Sequence, residues 1–192
     1  DDLSTGRREN LAAVTPERCE LVVGDVRDRA LVRALLTDVP LVLHLACLGV
    51  RHSLRAPREN ADVNATGTLA VLEAARVACV ARVVHVSSSE VYGSARAVPM
   101  REDHPTAPTT VYGAAKLAGE AYARTFHRSF GLPVVVVRPF NAFGPRAHHE
   151  DTRGELIPRF LLRALAGRPL IVFGDGEQSR DFTYVSDTAR GI

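Results

Sequence analysis

The stretch Leu41-Val-Leu-His-Leu-Ala46 is a continuous apolar run, which is typical of a parallel strand covered on both faces. After a loop to Pro57, apolar residues at helical spacing predict a helix over residues 61–78. The β-branched segment over residues 82–86 then predicts a second strand. Repeated strand–helix–strand units of this length predict an open, doubly wound parallel sheet with helices on both faces.

The same alternation continues along the rest of the chain. Further strands are predicted over residues 20–23, 133–137 and 170–173, and further helices over residues 29–36, 112–130 and 156–166. We expect Gly131 to end the helix that precedes it and Ser186 to cap a last helix that runs off the end. A sheet of this kind binds its ligands beyond the carboxyl ends of its strands.

Composition excludes several classes of protein. The 192 residues are 46% hydrophobic and 24% charged, with a formal net charge of +2, which excludes a disordered, collagenous or disulfide-scaffold protein. Because basic and acidic residues are evenly spread, we expect neither nucleic acid nor a membrane as a partner. No apolar run could cross a bilayer and no leader is recognised, which predicts a cytoplasmic protein. Three cysteines without Cys-x-x-Cys spacing predict no zinc site.

Both ends of the chain are expected to be truncated. None of the 14 glycines forms the Gly-x-Gly-x-x-Gly loop that binds the diphosphate of a dinucleotide. An acidic residue follows that loop by about 20 residues and binds the adenosine ribose. Asp1 fits this acidic residue, so about 30 residues of a first β-α-β unit are expected to be missing. The sequence therefore predicts a Rossmann-type sheet, truncated at the N-terminus and in the C-terminal substrate region.

The segment Tyr112-Gly-Ala-Ala-Lys116 opens the helix predicted over residues 112–130. Spacing of four places the phenol and the ammonium group on one helix face, one turn apart. A tyrosine with a pKa of about 10 is a poor base, and a neighbouring cation favours its phenolate. Lys116 is the single lysine among 24 basic residues, and its compact ammonium group can also bind ribose hydroxyls. The pair predicts a proton-transfer site; a surface tyrosine beside a solvated lysine is the alternative.

A serine cluster lies in Val84-His-Val-Ser-Ser-Ser-Glu-Val-Tyr-Gly93. The preceding strand brings these serines to the carboxyl edge of the sheet, where one can hydrogen-bond a sugar hydroxyl while Tyr112 moves its proton. A serine-rich turn without chemistry is the alternative. The cluster, the Tyr-x-x-x-Lys pair and the segment Arg138-Pro-Phe-Asn-Ala-Phe-Gly-Pro145 form one pattern.

This pattern resembles the NAD-dependent epimerase/dehydratase family, the extended short-chain dehydrogenases that act on nucleotide sugars. The resemblance covers essentially the whole chain and implies NAD as the cofactor and a nucleotide sugar as the substrate. It implies an NAD-binding domain over residues 1–150 and the start of a nucleotide-sugar-binding region over residues 151–192. The catalytic residues that it implies are Ser88, Tyr112 as the base, Lys116 as the partner of that base, and Glu90.

The resemblance also implies two sets of binding residues. Those implied to contact NAD are Asp1, Asp2, Asp25, Val26, Leu45, Ala46, Asn64, Tyr112, Lys116 and Phe140. Those implied to contact the nucleotide sugar are Ser53, Ser88, Asn141, Ile157, Pro158, Phe173 and Arg180. Arg180 would clamp the diphosphate, a task that suits a bidentate guanidinium group.

The pair Ser89-Glu90 bears on which reaction of the family the resemblance implies. The 4,6-dehydratases of the family carry Asp-Glu here, whereas this chain has Ser89-Glu90 and so lacks the acid expected to expel the C6 hydroxyl. The Ser-Glu pair resembles UDP-glucuronate decarboxylases, while residues 50–57 and 173–180 resemble 4-epimerases. The resemblance thus implies a UDP-sugar 4-epimerase with a transient 4-keto intermediate. A 4,6-dehydratase, a UDP-glucuronate decarboxylase and a non-catalytic NAD-binding sensor or scaffold are the alternatives.

Four lesser candidates have ordinary explanations. His148-His149-Glu150-Asp151 could bind a metal ion, but a solvated loop is favoured and no metal site is predicted. His44, His52 and His85 are assigned to packing or to a pocket wall. Cys47 follows a predicted strand near the expected cofactor, but no base is placed to make it a nucleophile.

The apolar stripe of Leu117, Ala121 and Phe126 predicts the core-facing side of the helix that carries Tyr112. The resemblance allows a homodimer through the same helix.

Overall fold

The computed structural model describes residues 1–149 and 154–192. The chain divides into two compact units, Asp1–Arg138 and Pro139–Ile192. The functional boundary expected at residue 150 falls inside the second unit, and that boundary stays a prediction.

The first unit is built on a three-stranded parallel sheet. Its strands are β1 (Leu41–His44), β2 (Arg82–Val86) and β3 (Val134–Val137), in the order β1-β2-β3. The described α-helices of this unit are α1 (Arg29–Leu35), α2 (Val50–Ser53), α3 (Pro57–Ala61), α4 (Gly67–Val77) and α5 (Val111–Phe130). A π-helical turn, Asp62–Thr66, joins α3 to α4, and 3₁₀ turns form at Arg8–Leu11 and Ser89–Val91. Parallel strands joined through helices confirm the predicted Rossmann-type α/β fold.

The second unit contains a two-stranded parallel sheet. Its elements are β4 (Asn141–Phe143), α6 (Leu156–Leu165), β5 (Phe182–Tyr184) and α7 (Val185–Gly191).

One face of the larger sheet carries the core of the first unit. Leu72 and Ala75 of α4 and Ala123 of α5 pack with Val83 of β2, and none of the four is more than 1% exposed. Full burial of a leucine side chain stabilises a fold by about 2 kcal/mol. These contacts fix α4 and α5 against the sheet and so fix the carboxyl edge at which a site is expected.

The opposite face of β1 is open. Leu41, Leu43 and Leu45 are each 50% exposed. Side chains alternate along a strand, and the helices pack against the side that carries Val42 and His44. The described residues of this unit therefore cover β1 on one face.

The residues at the start of α1 and at the end of α5 explain where these helices begin and end. Asp28 starts α1 by accepting hydrogen bonds from the N–H groups of Ala30 and Leu31 at 3.1 and 3.0 Å. Gly131 ends α5 at φ +70°, as predicted, because glycine adopts the left-handed conformation at little cost.

Two predicted strands, over residues 20–23 and 170–173, are wrong. The first segment is tied to the chain start by the N–H of Gly24, which donates to the carbonyl of Asp1 at 3.1 Å, but a strand requires a repeating ladder. Ser186 does not cap the last helix, because α7 begins at Val185 and Ser186 lies in its first turn.

Two helix expectations also need correction. The helix predicted over residues 61–78 is divided by the π-helical turn, so α4 begins only at Gly67. On α5, Ala121 is exposed and Leu117 is half-buried. The buried face instead follows a 3.6-residue period through Ala115, Gly119, Ala123 and Phe126. No helix in the described ranges is long and apolar enough to cross a membrane.

Candidate active site

Helix α5 begins directly against the turn that follows β2. The side chain of Thr110 accepts a hydrogen bond from the N–H of Gly113 at 3.0 Å, which places Tyr112 in the first helical turn. A Cβ atom on Gly113 would lie 2.7 Å from the carbonyl oxygen of Glu90. Glycine therefore permits the close approach that brings Tyr112 to the serine-rich turn.

Lys116 lies one turn further along α5 and is 2% exposed. Its Nζ donates a 2.6 Å hydrogen bond to the carbonyl oxygen of Val86, the last residue of β2. Burial lowers the pKa of Lys116, and the neighbouring Cys47 and Glu120 oppose that effect. The ammonium group thus ties α5 to the strand that ends at the serines.

Tyr112 is surrounded by the side chains that the sequence singled out. The side chains of Ser88, Cys47 and Glu90 lie close enough to the Tyr112 phenol to act on its pKa. Burial raises the pKa of Tyr112, Cys47 and the Glu90 carboxylate raise it further, and the Ser88 hydrogen bond opposes them. The sequence predicted that Lys116 would favour the phenolate and so lower this pKa; in this structure burial sets the direction, and the pKa of Tyr112 is raised instead.

Ser88 adopts an extended backbone at the end of β2, with φ −161°. Its side chain also accepts a hydrogen bond from the N–H of Glu90 at 3.2 Å, which starts the 3₁₀ turn over Ser89–Val91. The structure thus brings Ser88, Glu90, Tyr112 and Lys116 together at the carboxyl edge of the sheet. A phenol, a hydroxyl donor and a buried cation in this arrangement can move a proton to or from a bound alcohol.

A cleft of about 220 Å³ opens beside this group. Five residues predicted to contact a cofactor line it: Asp1, Asp2, Asp25, Val26 and Ala46. The carboxylates of Asp1 and Asp2 accept hydrogen bonds from backbone N–H groups two residues further on. These bonds hold both carboxylates at one end of the cleft, where hydroxyl groups of a ligand can reach them.

Asn64 is 1% exposed and acts on the loop after β1. Its Oδ1 accepts from the N–H of Leu48 at 3.0 Å, and its Nδ2 donates to the carbonyl of Leu48 at 2.8 Å. Asn60 also donates to that carbonyl, at 2.9 Å. The Asn64 amide therefore shapes a wall of the cleft, and its contact with a cofactor stays a prediction.

Two further predicted residues of the first unit differ in exposure. Leu45 is half-exposed and follows β1 directly. Ser53 is 3% exposed and donates to the carbonyl of Val50 at 2.6 Å. Their roles stay predictions.

The remaining predicted residues lie in the second unit. Asn141 Nδ2 donates to the carbonyl of Asp181 at 2.9 Å, and Arg180 Nη1 donates to the carbonyl of Ser179 at 2.7 Å. Phe173 is 76% exposed. Phe140, Ile157 and Pro158 are half-buried. Their roles in binding stay predictions.

Sequence reasoning missed a buried carboxylate on α5. Glu120 is fully buried and accepts hydrogen bonds from Ser87, Arg124 and Arg138. Its spacing of four from Lys116 was the available signal, since residues four apart share a helix face.

The metal candidate at residues 148–151 falls partly outside the described residues. Among the residues that the structure does describe, no group of three His, Cys, Asp or Glu side chains could hold a metal ion.

A parallel sheet with a Ser–Tyr–Lys group at its carboxyl edge and an adjoining cleft with carboxylates defines a short-chain dehydrogenase type of enzyme. The pattern of the NAD dependent epimerase/dehydratase family matches residues 1–192. The chain belongs to this family.

Three relatives show the range of activities within the family. The chain is 40% identical to a UDP-glucose 4-epimerase of Mycolicibacterium smegmatis, over 97% of this chain and 61% of that protein. The UDP-N-acetylglucosamine 4-epimerase of Methanobrevibacter ruminantium superposes with a TM-score of 0.92 at 36% identity, over 99% of this chain and 61% of that one. The dTDP-glucose 4,6-dehydratase DesIV of Streptomyces venezuelae, solved with NAD bound, superposes with a TM-score of 0.89 at 38% identity. This match covers 97% of this chain and 57% of that one. The chain thus spans about three fifths of the length of these relatives.

Proposed function

We propose that this chain carries the catalytic residues of an NAD-dependent nucleotide-sugar 4-epimerase that acts on a UDP-sugar through a transient 4-keto intermediate. The observation that supports this most is that Ser88, at the end of β2, lies beside the Tyr112 phenol in the first turn of α5, with the buried Lys116 one helical turn away. Similarity to 4-epimerases over nearly the whole chain supports the same assignment.

The cleft suits the adenosine side of NAD. The Asp1 and Asp2 carboxylates can accept hydrogen bonds from ribose hydroxyls, and Val26 offers an apolar wall for a base. Ala46, at the end of β1, presents a small side chain that allows a ligand to approach the backbone. When bound, NAD supplies the acceptor for a hydride and returns it.

The Ser–Tyr–Lys group handles the proton at the sugar. The phenolate form of Tyr112 accepts the proton of the 4-hydroxyl, while the Ser88 hydroxyl donates a hydrogen bond to the developing ketone oxygen. Burial raises the pKa of Tyr112 in this structure, so its phenolate has to be favoured in the complex, and the Lys116 ammonium group one turn along α5 is a cation that can favour it. The proton that Tyr112 has accepted returns to the same oxygen when the ketone is reduced on its other face. We assign the nucleotide-sugar diphosphate to Asn141 and Arg180 of the second unit.

Glu90 supports a second candidate. Its carboxylate lies close enough to Tyr112 to raise the pKa of the phenol, so it can also face a bound sugar. A carboxylate in this place could act on the 4-keto intermediate in a dehydratase or a decarboxylase. Ser89 stands where the 4,6-dehydratases have an aspartic acid, and a serine hydroxyl is a weak acid for expelling water, which favours the epimerase.

A homodimer through α5 and a cytoplasmic location belong to the same proposal. Light scattering of the purified protein tests the dimer, and a single-chain mass contradicts it.

Product mass tests the proposed function. A protein of the relatives' full length that carries this chain is incubated with NAD and, separately, with UDP-glucose, UDP-N-acetylglucosamine, UDP-glucuronate or dTDP-glucose. We expect an isomer of unchanged mass and new retention time from a UDP-sugar. A product lighter by water or by carbon dioxide contradicts the epimerase. It would indicate a dehydratase or a decarboxylase in which Glu90 acts on the 4-keto intermediate.

The control for this assay is Tyr112→Phe, which removes one hydroxyl. It should lose about 10²- to 10⁴-fold in turnover and keep nucleotide-sugar binding. Unchanged turnover contradicts any role of Tyr112 in proton transfer, and a wild type without turnover on any of the four substrates favours the non-catalytic alternative.

A further inference from the structure

Glu120 holds a fully buried carboxylate beneath the candidate active site. Arg138 Nε and Nη2 donate to its two oxygens at 2.8 and 2.7 Å, and Ser87 Oγ donates at 2.6 Å. Arg124 adds a fourth bond at 2.7 Å from the half-exposed side of α5. Burial alone would raise the pKa of Glu120, but the hydrogen bonds from Arg138 and Ser87 outweigh it and keep the group ionised.

The carboxylate is tied to the residue just before the catalytic serine. Val86, Ser87 and Ser88 are consecutive, and α5 binds the first two of them from successive turns. Lys116 donates to the carbonyl of Val86, and Glu120 accepts from the side chain of Ser87. The end of β2 is thus held to α5 at two points immediately before Ser88.

Arg138 fixes the other side of the carboxylate. It follows β3, and its guanidinium group lies 4.7 Å from the centre of the Tyr92 ring, at the end of the serine-rich turn. The N–H of Ser87 donates to the carbonyl of Val137 at 2.7 Å. Glu120 therefore joins β2, β3 and α5 at one point.

We propose that Glu120 is a positioning residue that sets Ser88 against the phenol of Tyr112. This inference rests on the proposed proton-transfer role of those two residues. The hydroxyl of Ser88 can serve a ketone oxygen only within a narrow range of positions, and a shift of about 1 Å in such a group can cost about 10²-fold in rate.

The same carboxylate acts on the charge of Lys116. The titratable groups that act on this ammonium group are His44 at the end of β1, Cys47 in the loop after β1, His85 of β2, and Glu120 of α5. Glu120 supports the ammonium form against burial. Loss of its charge should therefore allow Lys116 to lose its proton at a lower pH.

Three substitutions distinguish a role of Glu120 in positioning Ser88 from a role in the stability of the fold alone. Ser87→Ala removes the tether to Ser88 and keeps the Glu120 charge, whereas Glu120→Gln removes the charge. Arg124→Ala is the matched control, because Arg124 contacts the same carboxylate from the half-exposed surface. All three are made in the full-length protein that carries this chain.

We expect Ser87→Ala to lower kcat about 10- to 100-fold with KM nearly unchanged and with the alkaline limb of kcat/KM in place. Glu120→Gln should lower kcat similarly and also move the alkaline limb to lower pH, and Arg124→Ala should change neither. If Ser87→Ala and Glu120→Gln lower only the thermal midpoint, with kcat within twofold, the positioning role is wrong.

Lysine NMR keeps this test independent of turnover. The Lys116 signal, labelled at Cε and assigned by its loss in Lys116→Met, should titrate at lower pH in Glu120→Gln than in the wild type or in Arg124→Ala. An unchanged titration contradicts the charge effect. A wild type that turns over no nucleotide sugar contradicts the proposed function and with it the positioning role, while the Lys116 titration still decides whether the Glu120 charge acts on Lys116.

Discussion

The imidazole rings of His44 and His85 stack inside the first unit, with their centroids 5.5 Å apart. The two residues are paired neighbours on β1 and β2 and are at most 5% exposed. His44 Nε2 is hydrogen-bonded to the hydroxyl of Thr68 at 2.9 Å, but neither ring nitrogen of His85 has a partner among the described residues. Burial lowers the pKa of each ring to about 3, so both are neutral at physiological pH.

Stability should therefore fall as the solution is acidified. The folded pKa of about 3 lies below the ordinary value of 6.5, so between these pH values the unfolded chain binds protons that the folded chain does not. Each histidine should remove about 1.4 kcal/mol from the free energy of unfolding per pH unit below 6.5, or about 2 kcal/mol at pH 5. Urea unfolding at pH 7 and pH 5 measures this loss.

His85→Leu should reduce the loss by about half, whereas replacement of the exposed His148 by Gln should leave it unchanged. An equal pH dependence in His85→Leu and the wild type would show that His85 is not buried in its neutral form.

Asn64→Ala should destabilise the loop that lines the cleft. The substitution leaves the N–H of Leu48 without its 3.0 Å partner, and an unsatisfied buried group costs about 1–3 kcal/mol. NAD affinity should fall as well, because the loop after β1 loses its fixed position. Urea unfolding and calorimetric NAD titration measure the two effects, with the half-buried Asn10→Ala as the control. If the free energy of unfolding of Asn64→Ala changes by less than about 0.5 kcal/mol, as for an ordinary surface substitution, Asn64 does not stabilise this loop.

Most of the correct predictions of the fold and of the candidate site came from short motifs whose residues are close in sequence. Tyr112 and Lys116 lie four apart on one helix, so their shared face follows from helix geometry alone. Ser88 joins them because a parallel sheet collects its carboxyl ends at one edge. The strand over residues 82–86 and the end of α5 at Gly131 follow from β-branched composition and glycine conformation in the same way.

The features that could not be predicted depend on distant neighbours. The Glu120 carboxylate is buried because Arg138, eighteen positions further along the chain, supplies two hydrogen bonds. The pKa of Tyr112 moved against expectation because burial depends on the packing of the whole unit. Residues 20–23 and 170–173 have the composition of strands but no ladder, and composition cannot indicate whether a neighbouring strand is present.

Cys47 should make the protein sensitive to thiol alkylation. Cys47 lines the cleft, is exposed, and lies close enough to the Tyr112 phenol to raise its pKa, so an added group would displace both cofactor and phenol. N-ethylmaleimide should abolish turnover, and saturating NAD should slow the loss. Cys47→Ala should resist the reagent, whereas Cys19→Ala and Cys79→Ala, which remove the other exposed thiols, should not. Inactivation of Cys47→Ala at the wild-type rate would place the sensitive thiol elsewhere.

Glu90→Gln should move the acid limb of kcat/KM to lower pH. After burial and Cys47, the Glu90 carboxylate is a further group that raises the pKa of Tyr112, so removal of its charge lowers that pKa. The phenol then loses its proton, and begins to act as a base, at a lower pH. The exposed Glu9→Gln is the control and should leave the profile unchanged. A shift of the acid limb to higher pH contradicts this placement of Glu90.

The fate of the hydrogen at sugar C4 tests the proposed reaction most directly. UDP-glucose deuterated at C4 is incubated with NAD and the full-length protein that carries this chain, and NMR locates the deuterium in the product. If Ser88, Tyr112 and Lys116 serve a 4-epimerase, the deuterium is retained at C4 in both epimers and the mass is unchanged. Deuterium at C6 in a product lighter by one water would contradict the epimerase and identify a dehydratase.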